Sequence, residues 1–410
     1  MTKPVKLIII GAGSRGSGYA EYASAFPEQA CIAGVAEPRD YYREHFAQRH
    51  HLPPESVFSD WREITQRPRF ADAVLICTQD AMHAEPAIAF ARMGYHILLE
   101  KPMAPNLADC RRIAEAAVKH GIIFAVCHVL RYTGYTRRLK EMLDAGVIGK
   151  VISIQHLEPL GYWHQAHTYV RGNFRNTALS SPMLLSKACH DLDWIRHIVN
   201  ERCVKISSFG NLSHFRKECR PAGAAERCLD CGLEAQCPYS AVRLYLGSVK
   251  AGKTVWPVNV LTPDVTPAGV TEALRAGPYG RCVYACDNDV VDHQVVNMEF
   301  AGGQTAVFTM TGFTRYRRRQ TRLFGTRGEI YGDGEKIQVY DFLTEQTENI
   351  DPPATPGGAG GGGALMKAFV TAVAQNNPAL ILSGPKETLE THNMVFAAEQ
   401  SRNIGRVVTL

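Results

Sequence analysis

The sequence lacks any long uninterrupted apolar run. No segment reaches the roughly 18 to 20 consecutive apolar residues that a membrane-spanning helix needs. The apolar part of the opening stretch "MTKPVKLIIIGAG" is shorter still, and no small-residue cleavage region of a secretory signal follows it. These absences argue against an integral membrane protein and against secretion. We therefore expect a cytoplasmic protein without a membrane partner.

A strong net charge is also missing. The formal net charge is +5 over 410 residues, which is too weak for the electrostatic footprint of a nucleic-acid-binding protein. The densest basic stretch, "TRYRRRQTR" from Thr314 to Arg322, alternates enough to be interpreted as the solvated face of a strand. We expect no nucleic-acid partner.

What is present is an ordinary globular composition, 45% hydrophobic and 21% charged. A chain of this length exceeds one hydrophobic core, so two domains are expected. In the first third, β-branched runs alternate with helical patterns, which predicts βαβ units and a parallel sheet buried on both faces. The runs are "KLIIIGAG", "ACIAGVAEP", "DAVLICT", "YHILLEKP" and "IIFAVCH". We predict an α/β domain over residues 1–128.

The pattern changes beyond residue 128. Alternating runs such as "KVISIQHLEPLG" and "VVNMEFAGGQTAVFTMTGF" are joined by glycine-containing turns, which is typical of antiparallel strands. We predict a second domain of the α+β class over residues 129–410, with a large, mostly antiparallel, open sheet.

Three glycines follow the first predicted strand in the pattern G-x-G-x-x-G and open a helix. Gly11 permits a tight turn, Gly13 lets a pyrophosphate approach the backbone, and Gly16 allows close helix–strand packing. The helix N-terminus adds free N–H groups and the positive end of its dipole. The spacing predicts a Rossmann dinucleotide-binding site, with Ser14 and Arg15 as further cofactor contacts.

An acidic residue stands where the cofactor ribose is read. Glu37 ends the second predicted strand, about 20 residues after the glycine loop. Its carboxylate can accept both ribose hydroxyls and repels a 2′-phosphate, which favours NAD over NADP. The neighbouring Arg39 is the residue type that accepts that phosphate. We expect NAD, and NADP is the alternative.

With these features together, the chain resembles the glucose–fructose oxidoreductase and inositol dehydrogenase family. The motifs "GAGSRG", "ICTQDAMHAEPAIAF", "LLEKPMA" and a later "HDLD" occur in the family's order along essentially the whole chain. The resemblance implies NAD(P)-dependent chemistry on sugars or polyols, and a C-terminal sheet that covers the nicotinamide. It also implies a homodimer or homotetramer formed through that sheet.

The resemblance further implies roles for single residues. Lys101 of "EKP" matches the lysine that contacts the nicotinamide and the substrate hydroxyl, and Glu100 positions that lysine. His190 matches the active-site histidine, and Asp193 matches its partner. The loop along the nicotinamide side of the cofactor corresponds to Thr78 and His83.

One departure from the family changes the expected chemistry. Many members have an aspartate four residues before the histidine and a glycine two before it, where this chain has Ser186 and Ala188. Lys187 stands between them. We therefore assign the acid–base chemistry to His190 and Lys101, with Lys187 as a helper. A histidine can accept the hydroxyl proton near neutral pH, and an ammonium group stabilises the developing alkoxide.

The stretch "LGYWHQAHTYVRGNFRN" is unusually rich in aromatic and polar side chains. Such side chains recognise the faces and hydroxyls of a sugar, or a carboxylate. We predict substrate contacts from this stretch and its neighbours, and the competing interpretation is solvated surface positions. The candidates are Arg131, Tyr132, Tyr162, His164, His167, Arg171, Asn173, Asp193 and His293.

A cysteine-rich insert is expected at about residues 215–290. Cys219, Cys228, Cys231 and Cys237 follow the pattern C-x8-C-x2-C-x5-C. Thiols clustered in a reduced compartment are typical of a structural zinc site. Because the first spacing is irregular, Cys282, Cys286 or a histidine is an alternative fourth ligand. Free structural thiols and an iron–sulfur or redox role are alternatives to zinc.

Three functions are compatible with these features. We favour an NAD-dependent oxidoreductase acting on a sugar, polyol or sugar derivative. The second is an NAD-dependent glycoside-cleaving enzyme that oxidises a ring hydroxyl transiently, eliminates the aglycone and re-reduces the product without net NADH. The third is a non-enzymatic NAD-binding protein, which requires Lys101 and His190 to be dispensable.

Overall fold

A computed structural model describes residues 3–315, 318–355, 357–358 and 360–410. Within these ranges, the N-terminal part forms a six-stranded sheet in the order β3-β2-β1-β4-β5-β6, with every pair parallel. The predicted α/β domain with a parallel sheet is confirmed. The strands are β1 Val5–Ile10, β2 Ala30–Ala36, β3 Val57–Phe58, β4 Ala73–Ile76, β5 His96–Leu99 and β6 Phe124–Val126.

Helices cover both faces of this sheet, and two separate apolar clusters form on its two sides. The central strands β4 and β5 are therefore almost continuously apolar, as expected for strands without a solvated face. The helices of this part are Ser14–Ala25, Asp40–Arg49, Trp61–Thr65, Ala84–Arg92 and Leu107–Lys119. The helix Gly362–Gln375 returns from the C-terminal part and packs its apolar face against the same cluster as β1.

The C-terminal part is built on a large sheet. Its nine strands among the described residues run in the order β14-β13-β12-β11-β7-β10-β9-β8-β15. Neighbours are antiparallel except β7 and β10, so the predicted mostly antiparallel sheet is confirmed. The strands are β7 Val151–Pro159, β8 Cys203–Asn211, β9 His293–Phe300, β10 Thr305–Thr311, β11 Gln320–Gly325, β12 Gly328–Gly332, β13 Ile337–Asp341, β14 Thr347–Ile350 and β15 Val408–Thr409.

One face of this sheet is covered by helices, and the strands alternate buried and exposed residues accordingly. The buried face and the helices share one apolar cluster. The covering helices are Gly134–Asp144, Met183–Ser186, Cys189–Val199 and Pro385–Ile404. The last of these contacts both domains, because it also packs on Leu107–Lys119.

The cysteine-rich insert lies between β8 and β9. It consists of short helical turns and the helix Pro267–Ala276. It forms one small apolar cluster of its own and a second one with Ala166 and Val170 of the segment after β7. The buried Arg171 fastens it to the domain by donating to the carbonyl oxygens of Arg281 and Tyr239, each at 2.8 Å. The insert is thus a small packed unit on the edge of the sheet.

No helix in the described ranges combines the length and the apolar character needed to cross a membrane.

Candidate active site

The glycine loop has the geometry of a phosphate-binding turn. Gly11 has a φ of +91°, and a Cβ there would lie 2.8 Å from the Cys77 carbonyl oxygen. A Cβ at Gly16 would lie 2.0 Å from the Gly11 carbonyl oxygen, so both positions require glycine. At Gly13 the nearest atom is a side-chain nitrogen of Arg39 at 3.6 Å. The loop therefore leaves open space in front of Gly13, where a pyrophosphate can approach the backbone.

The helix after this loop begins without a side-chain cap. Its first N–H groups are consequently available to an anion. These features fit the pyrophosphate of a dinucleotide. Ser14 and Arg15 lie on the first helical turn, and their contacts with the cofactor stay predictions.

Glu37 is buried beside the glycine loop. Its carboxylate accepts hydrogen bonds from the Ala12 N–H at 2.9 Å and from the Arg39 guanidinium at 2.7 and 3.0 Å. Burial alone would raise the pKa of Glu37, but the hydrogen bonds from Arg39 and Ala12 outweigh it and lower that pKa. The carboxylate is therefore ionised and paired with the half-exposed Arg39. Glu37, the residue type that favours NAD, and Arg39, the residue type that accepts the 2′-phosphate of NADP, are thus in direct contact.

We expect Glu37→Ala to shift the cofactor preference toward NADP. The substitution removes the charge that repels a 2′-phosphate and releases Arg39 to pair with it. The ratio of the NADPH to the NADH association constant should rise by about 10- to 100-fold, equivalent to about 1.4 to 2.7 kcal/mol. Fluorescence titration of the purified variant with both reduced cofactors measures this ratio. Glu55→Ala, an exposed glutamate of the same domain, is the control, and an unchanged ratio in Glu37→Ala would contradict the assignment.

Lys101 begins the loop that follows β5, and its peptide bond to Pro102 is cis. Glu100 fixes the backbone here, because its carboxylate accepts the Lys101 N–H at 2.8 Å and the Tyr19 hydroxyl at 2.7 Å. Arg15 lies 3.6 Å from the same carboxylate. Glu100 thus joins the glycine-loop helix to the lysine loop.

Two buried histidines hold the same loop. His83 contacts the carbonyl oxygens of Pro102 at 2.8 Å and Thr78 at 3.2 Å. His392 accepts the Met103 N–H at 2.9 Å, so the long C-terminal helix reaches into the loop. His83 was among the predicted residues. His392 was missed, since nothing local in "LETHNM" distinguishes it from a core histidine.

The chain around His190 forms two short helices. Met183–Ser186 and Cys189–Val199 meet at Lys187 and Ala188, and both are held by buried leucine and isoleucine side chains. The Lys101 ammonium donates to the Ser186 carbonyl oxygen. The place of the family's aspartate is therefore taken by a serine whose backbone accepts the lysine.

His190 lies close to the Lys101 ammonium that contacts Ser186. It is 9% exposed, and its Nδ1 is buried without a hydrogen-bond partner among the described residues. Burial, followed by the charge of Lys101, lowers the pKa of His190 well below its usual value. The imidazole is therefore neutral at physiological pH and can accept a proton.

Asp193 pairs with an arginine rather than with His190. Its carboxylate accepts two hydrogen bonds from Arg131 at 2.7 Å each and one from Thr391 at 3.0 Å. It lies 3.7 Å from Nε2 of His128. The ring centre of His128 in turn lies 5.7 Å from that of His190. Any influence of Asp193 on His190 thus passes through His128, which the sequence did not single out.

His128 should make the fold sensitive to acid. Burial lowers the pKa of His128 to about 4, whereas in the unfolded chain a histidine titrates at about 6.5. The unfolded chain therefore binds the proton first, and stability falls as the pH drops from about 6.5 toward 4. A displacement of this size corresponds to about 3 kcal/mol.

We expect His128→Gln to remove most of this acid-induced loss of stability. The loss is measured as the difference between the unfolding free energies at about pH 6.5 and about pH 4, each obtained by urea titration. His120→Gln, at an exposed helix end, should keep the wild-type difference. Equal acid sensitivity in His128→Gln and wild type would show that His128 does not titrate in this way.

A second charged network surrounds Lys187. Its ammonium lies 3.5 Å from the buried Glu158 at the end of β7, and Glu158 accepts Arg319 at 2.8 Å. Arg319 also pairs with the buried Asp191, which contacts His156 at 3.0 Å. Burial lowers the pKa of Lys187, and Glu158 partly offsets the shift. Lys187 is therefore a paired, mostly buried ammonium group next to the Lys101 site.

Arg319 corrects the interpretation of "TRYRRRQTR" as a solvated strand face. Arg319 pairs with two buried carboxylates, those of Glu158 and Asp191. Arg318 and Arg322, the other described arginines that follow Arg315 in this stretch, have exposed partners. Tyr316 and Arg317 lie outside the described residues.

The structure separates the predicted substrate contacts into two groups. Burial and then the charge of Lys187 lower the pKa of His164 to about 2, which indicates that His164 lies near that lysine. Tyr162 is 40% exposed beside it. His167 instead contacts the Tyr245 hydroxyl at 2.8 Å, and Arg171 anchors the insert as described. The structure thus brings His164 within reach of the charge of Lys187 and directs His167 and Arg171 into the insert, whereas a substrate contact by Tyr162 stays a prediction.

The remaining candidates either have partners of their own or are exposed. Arg131 and Tyr132 hold the segment at residues 382–383, with the Tyr132 hydroxyl 2.8 Å from the Leu382 N–H. His293 contacts Asp292 at 2.8 Å, and Asn173 is exposed. Substrate contacts by these residues stay predictions.

The predicted zinc site is not supported. Across residues 3–315, 318–355, 357–358 and 360–410, no group of three or more His, Cys, Asp or Glu side chains could hold a metal ion. The reason lies in the partners of the thiols. Cys228 accepts an N–H from Arg171 at 3.5 Å, whereas Cys219 donates to the Ser213 carbonyl oxygen at 3.4 Å, and the two belong to different apolar clusters. Cys231 and Cys237 are free thiols.

A dinucleotide-binding α/β domain joined to a domain with an open sheet, with a lysine loop facing a histidine helix, defines an NAD-binding oxidoreductase. Residues 5–128 match the family model described as "Oxidoreductase family, NAD-binding Rossmann fold", and residues 140–410 match its "C-terminal alpha/beta domain". The chain belongs to this family, which is that of glucose–fructose oxidoreductase and inositol dehydrogenase.

Curated relatives are similar over different lengths. Oxidoreductase YteT of Bacillus subtilis is 22% identical over 81% of this chain and 79% of its own length. Myo-inositol 2-dehydrogenase of Thermotoga maritima is 28% identical over 51% of this chain and 59% of its own. A levoglucosan dehydrogenase solved with NADH and levoglucosan shares the fold, with a TM-score of 0.69, 19% identity and 99% of both chains covered.

Proposed function

We propose that this protein is an NAD-dependent oxidoreductase that removes a hydride from a secondary alcohol of a sugar, polyol or sugar derivative. The observation that carries the proposal is the contact between the Lys101 ammonium and the Ser186 carbonyl oxygen. It holds a cation beside the neutral imidazole of His190, next to a loop that fits a dinucleotide. Carbohydrate substrates of the related dehydrogenases support the same conclusion.

The residues divide the chemistry between them. Lys101 donates to the substrate hydroxyl oxygen and stabilises the negative charge that develops there. His190 accepts the hydroxyl proton, since its low pKa leaves the ring unprotonated. Glu37 and the glycine loop would hold the ribose and the pyrophosphate of NAD. When bound, NAD supplies the hydride acceptor.

The test is formation of NADH by the purified protein. A panel of hexoses, uronates, polyols and methyl glycosides is incubated with NAD, and NADH absorbance is followed with NADP in parallel. We expect at least one class to reduce NAD, with NADP used less well. Complete inactivity of the panel in both directions, with NAD bound, would favour the non-enzymatic alternative.

One observation favours glycoside cleavage as a second candidate. Lys187 lies beside the Lys101 site, and burial lowers its pKa against the effect of its partner Glu158, so the centre offers a second group for proton transfer once this ammonium has lost its proton. Hydride removal from a ring hydroxyl acidifies the adjacent C–H, and Lys187 could take that proton during elimination of the aglycone. Release of aglycone without net NADH would select this function, and NADH formed in proportion to substrate would select the dehydrogenase.

A homodimer or homotetramer is proposed through the uncovered face of the large sheet. Phe209 and Tyr331, 62% and 38% exposed, lie on this face. Light scattering of the purified protein measures its mass, and a monomer would contradict this assembly.

A further inference from the structure

Aromatic rings from two distant segments meet beside the proposed catalytic centre. Trp163 follows β7, whereas Trp256 belongs to the cysteine-rich insert. Their ring centres are 5.3 Å apart, and Trp256 also lies 5.1 Å from the ring of His164. Tyr162 adds a third ring, 6.3 Å from Tyr239 of the insert. The insert therefore contributes one wall of an aromatic surface whose other wall is the chain after β7.

This surface is adjacent to the charged groups of the centre. Only three residues separate Glu158, the partner of Lys187, from Tyr162. The turn between them is fixed to the segment that follows β10, because the Tyr162 N–H donates to the Thr314 carbonyl oxygen at 2.8 Å. His164 continues the same turn, and the charge of Lys187 contributes to lowering its pKa. The ring of Trp256 thus lies next to a histidine that is within reach of the charge of Lys187.

Packing of the insert does not account for all of this aromatic area. Trp256 and Tyr162 are each 40% exposed, and Val255 and Val260 on either side of Trp256 are 69% and 40% exposed. The insert is already held by Arg171, by an apolar cluster of its own and by a second cluster that it shares with the segment after β7. Exposed aromatic side chains at the mouth of a polar site are typical of ligand contact.

We propose that Trp256 and Trp163 form a second subsite, which binds a ring joined to the reacting sugar. The substrate would then be a glycoside with a ring-shaped aglycone rather than a free monosaccharide. This inference rests on the proposed function and narrows its substrate class. An aryl group and a second sugar unit present the same chemistry to a tryptophan, a flat face that is largely apolar.

The experiment compares matched glycosides of the sugar that gives the most NADH in the panel. For the NAD-loaded protein, kcat/KM is measured with the methyl glycoside, the phenyl glycoside and a disaccharide of the same linkage. We expect one or both ring-bearing substrates to exceed the methyl glycoside by about 10-fold, an advantage of the size expected for ring stacking. Preference for the phenyl compound identifies an aryl subsite, and preference for the disaccharide identifies a sugar subsite.

Variants connect the preference to the insert. Trp256→Ala is expected to reduce the ratio of ring-bearing to methyl substrate at least about 5-fold, whereas Trp256→Phe should retain most of it. Phe342→Ala, an exposed aromatic at the far edge of the sheet, is the control for loss of a surface ring. Trp163→Phe provides a second variant if Trp256→Ala does not fold.

Equal kcat/KM for all three substrates, or an unchanged ratio in Trp256→Ala, would overturn the proposal. If no sugar reduces NAD, the proposed function fails, and the subsite is tested separately by tryptophan fluorescence with phenyl and methyl β-glucoside. Quenching by the phenyl compound that is lost in Trp256→Phe/Trp163→Phe would support it, and no quenching by either would overturn it.

Discussion

Lys101→Met is expected to lower kcat/KM by about a thousandfold on the sugar that the wild-type protein oxidises. Methionine preserves the length and packing of the side chain but removes the ammonium group that contacts the Ser186 carbonyl oxygen. A single preorganised donor to a developing oxyanion contributes about 10² to 10³ in rate. Lys101 carries a full charge in a partly buried site, and no carboxylate pairs with it in the described part of the chain, so the upper end of this range is expected.

The measurement should separate chemistry from binding. Steady-state NADH formation gives kcat/KM, and fluorescence titration gives the NADH dissociation constant, which should change by less than about 3-fold. Lys119→Met, an exposed lysine at the end of a helix of the same domain, is the matched control. A Lys101→Met variant with wild-type kcat/KM would exclude Lys101 from the reaction.

Local sequence was sufficient for the cofactor half of the site. The roles of Gly11 and Gly16 depend on contacts made within one strand–turn–helix unit, so their spacing already contains the geometry. Glu37 lies at the end of the adjacent strand, and parallel pairing of β1 with β2 brings it to the loop. What the sequence could not provide is that Arg39 folds back onto Glu37.

The charged network around the lysines depends on contacts between distant segments, and the sequence did not single out the residues that form it. Glu158 and Arg319 are 161 positions apart and meet because β11 pairs with β7. The register of that pairing is set by burial across the whole sheet, and no local motif records it. The basic stretch therefore favoured the interpretation as a solvated strand face, although Arg319 within it pairs with the buried carboxylate of Glu158. His392 was missed for the same reason, since its helix reaches the lysine loop from the C-terminus.

The departure at Ser186 acquires a physical meaning in this arrangement. Without the family's aspartate, Lys101 contacts a neutral carbonyl oxygen, which neutralises none of its charge. A carboxylate nevertheless pairs with the residue after Ser186, because Glu158 of β7 lies 3.5 Å from the Lys187 ammonium. Glu158 thus pairs with Lys187, and the positive charge of Lys101 stays directed at the substrate. This distribution suits an alkoxide at Lys101 and proton transfer at Lys187.

His190→Ala is expected to reduce kcat by about 10² to 10⁴ and to leave NAD binding within about 3-fold of wild type. The imidazole is buried and neutral, with Nδ1 unpaired in the described structure, so the loss of its proton-accepting nitrogen is not replaced by a neighbour. His128, the closest other imidazole, already faces Asp193. His190→Gln tests the cavity separately, since it restores volume and hydrogen bonding but not basicity.

The pH profile makes this prediction specific. Burial and Lys101 lower the pKa of His190 below its usual value, so the active, unprotonated form persists and the wild-type acid limb of kcat/KM should lie below about pH 6.5. His45→Ala, an exposed histidine of the first domain, should reproduce that limb. In His190→Gln the residual rate should lack this acid limb, because the imidazole whose protonation causes the limb is absent. A His190 variant with normal turnover and an unchanged acid limb would assign the base to another residue, and Lys187 is the next candidate.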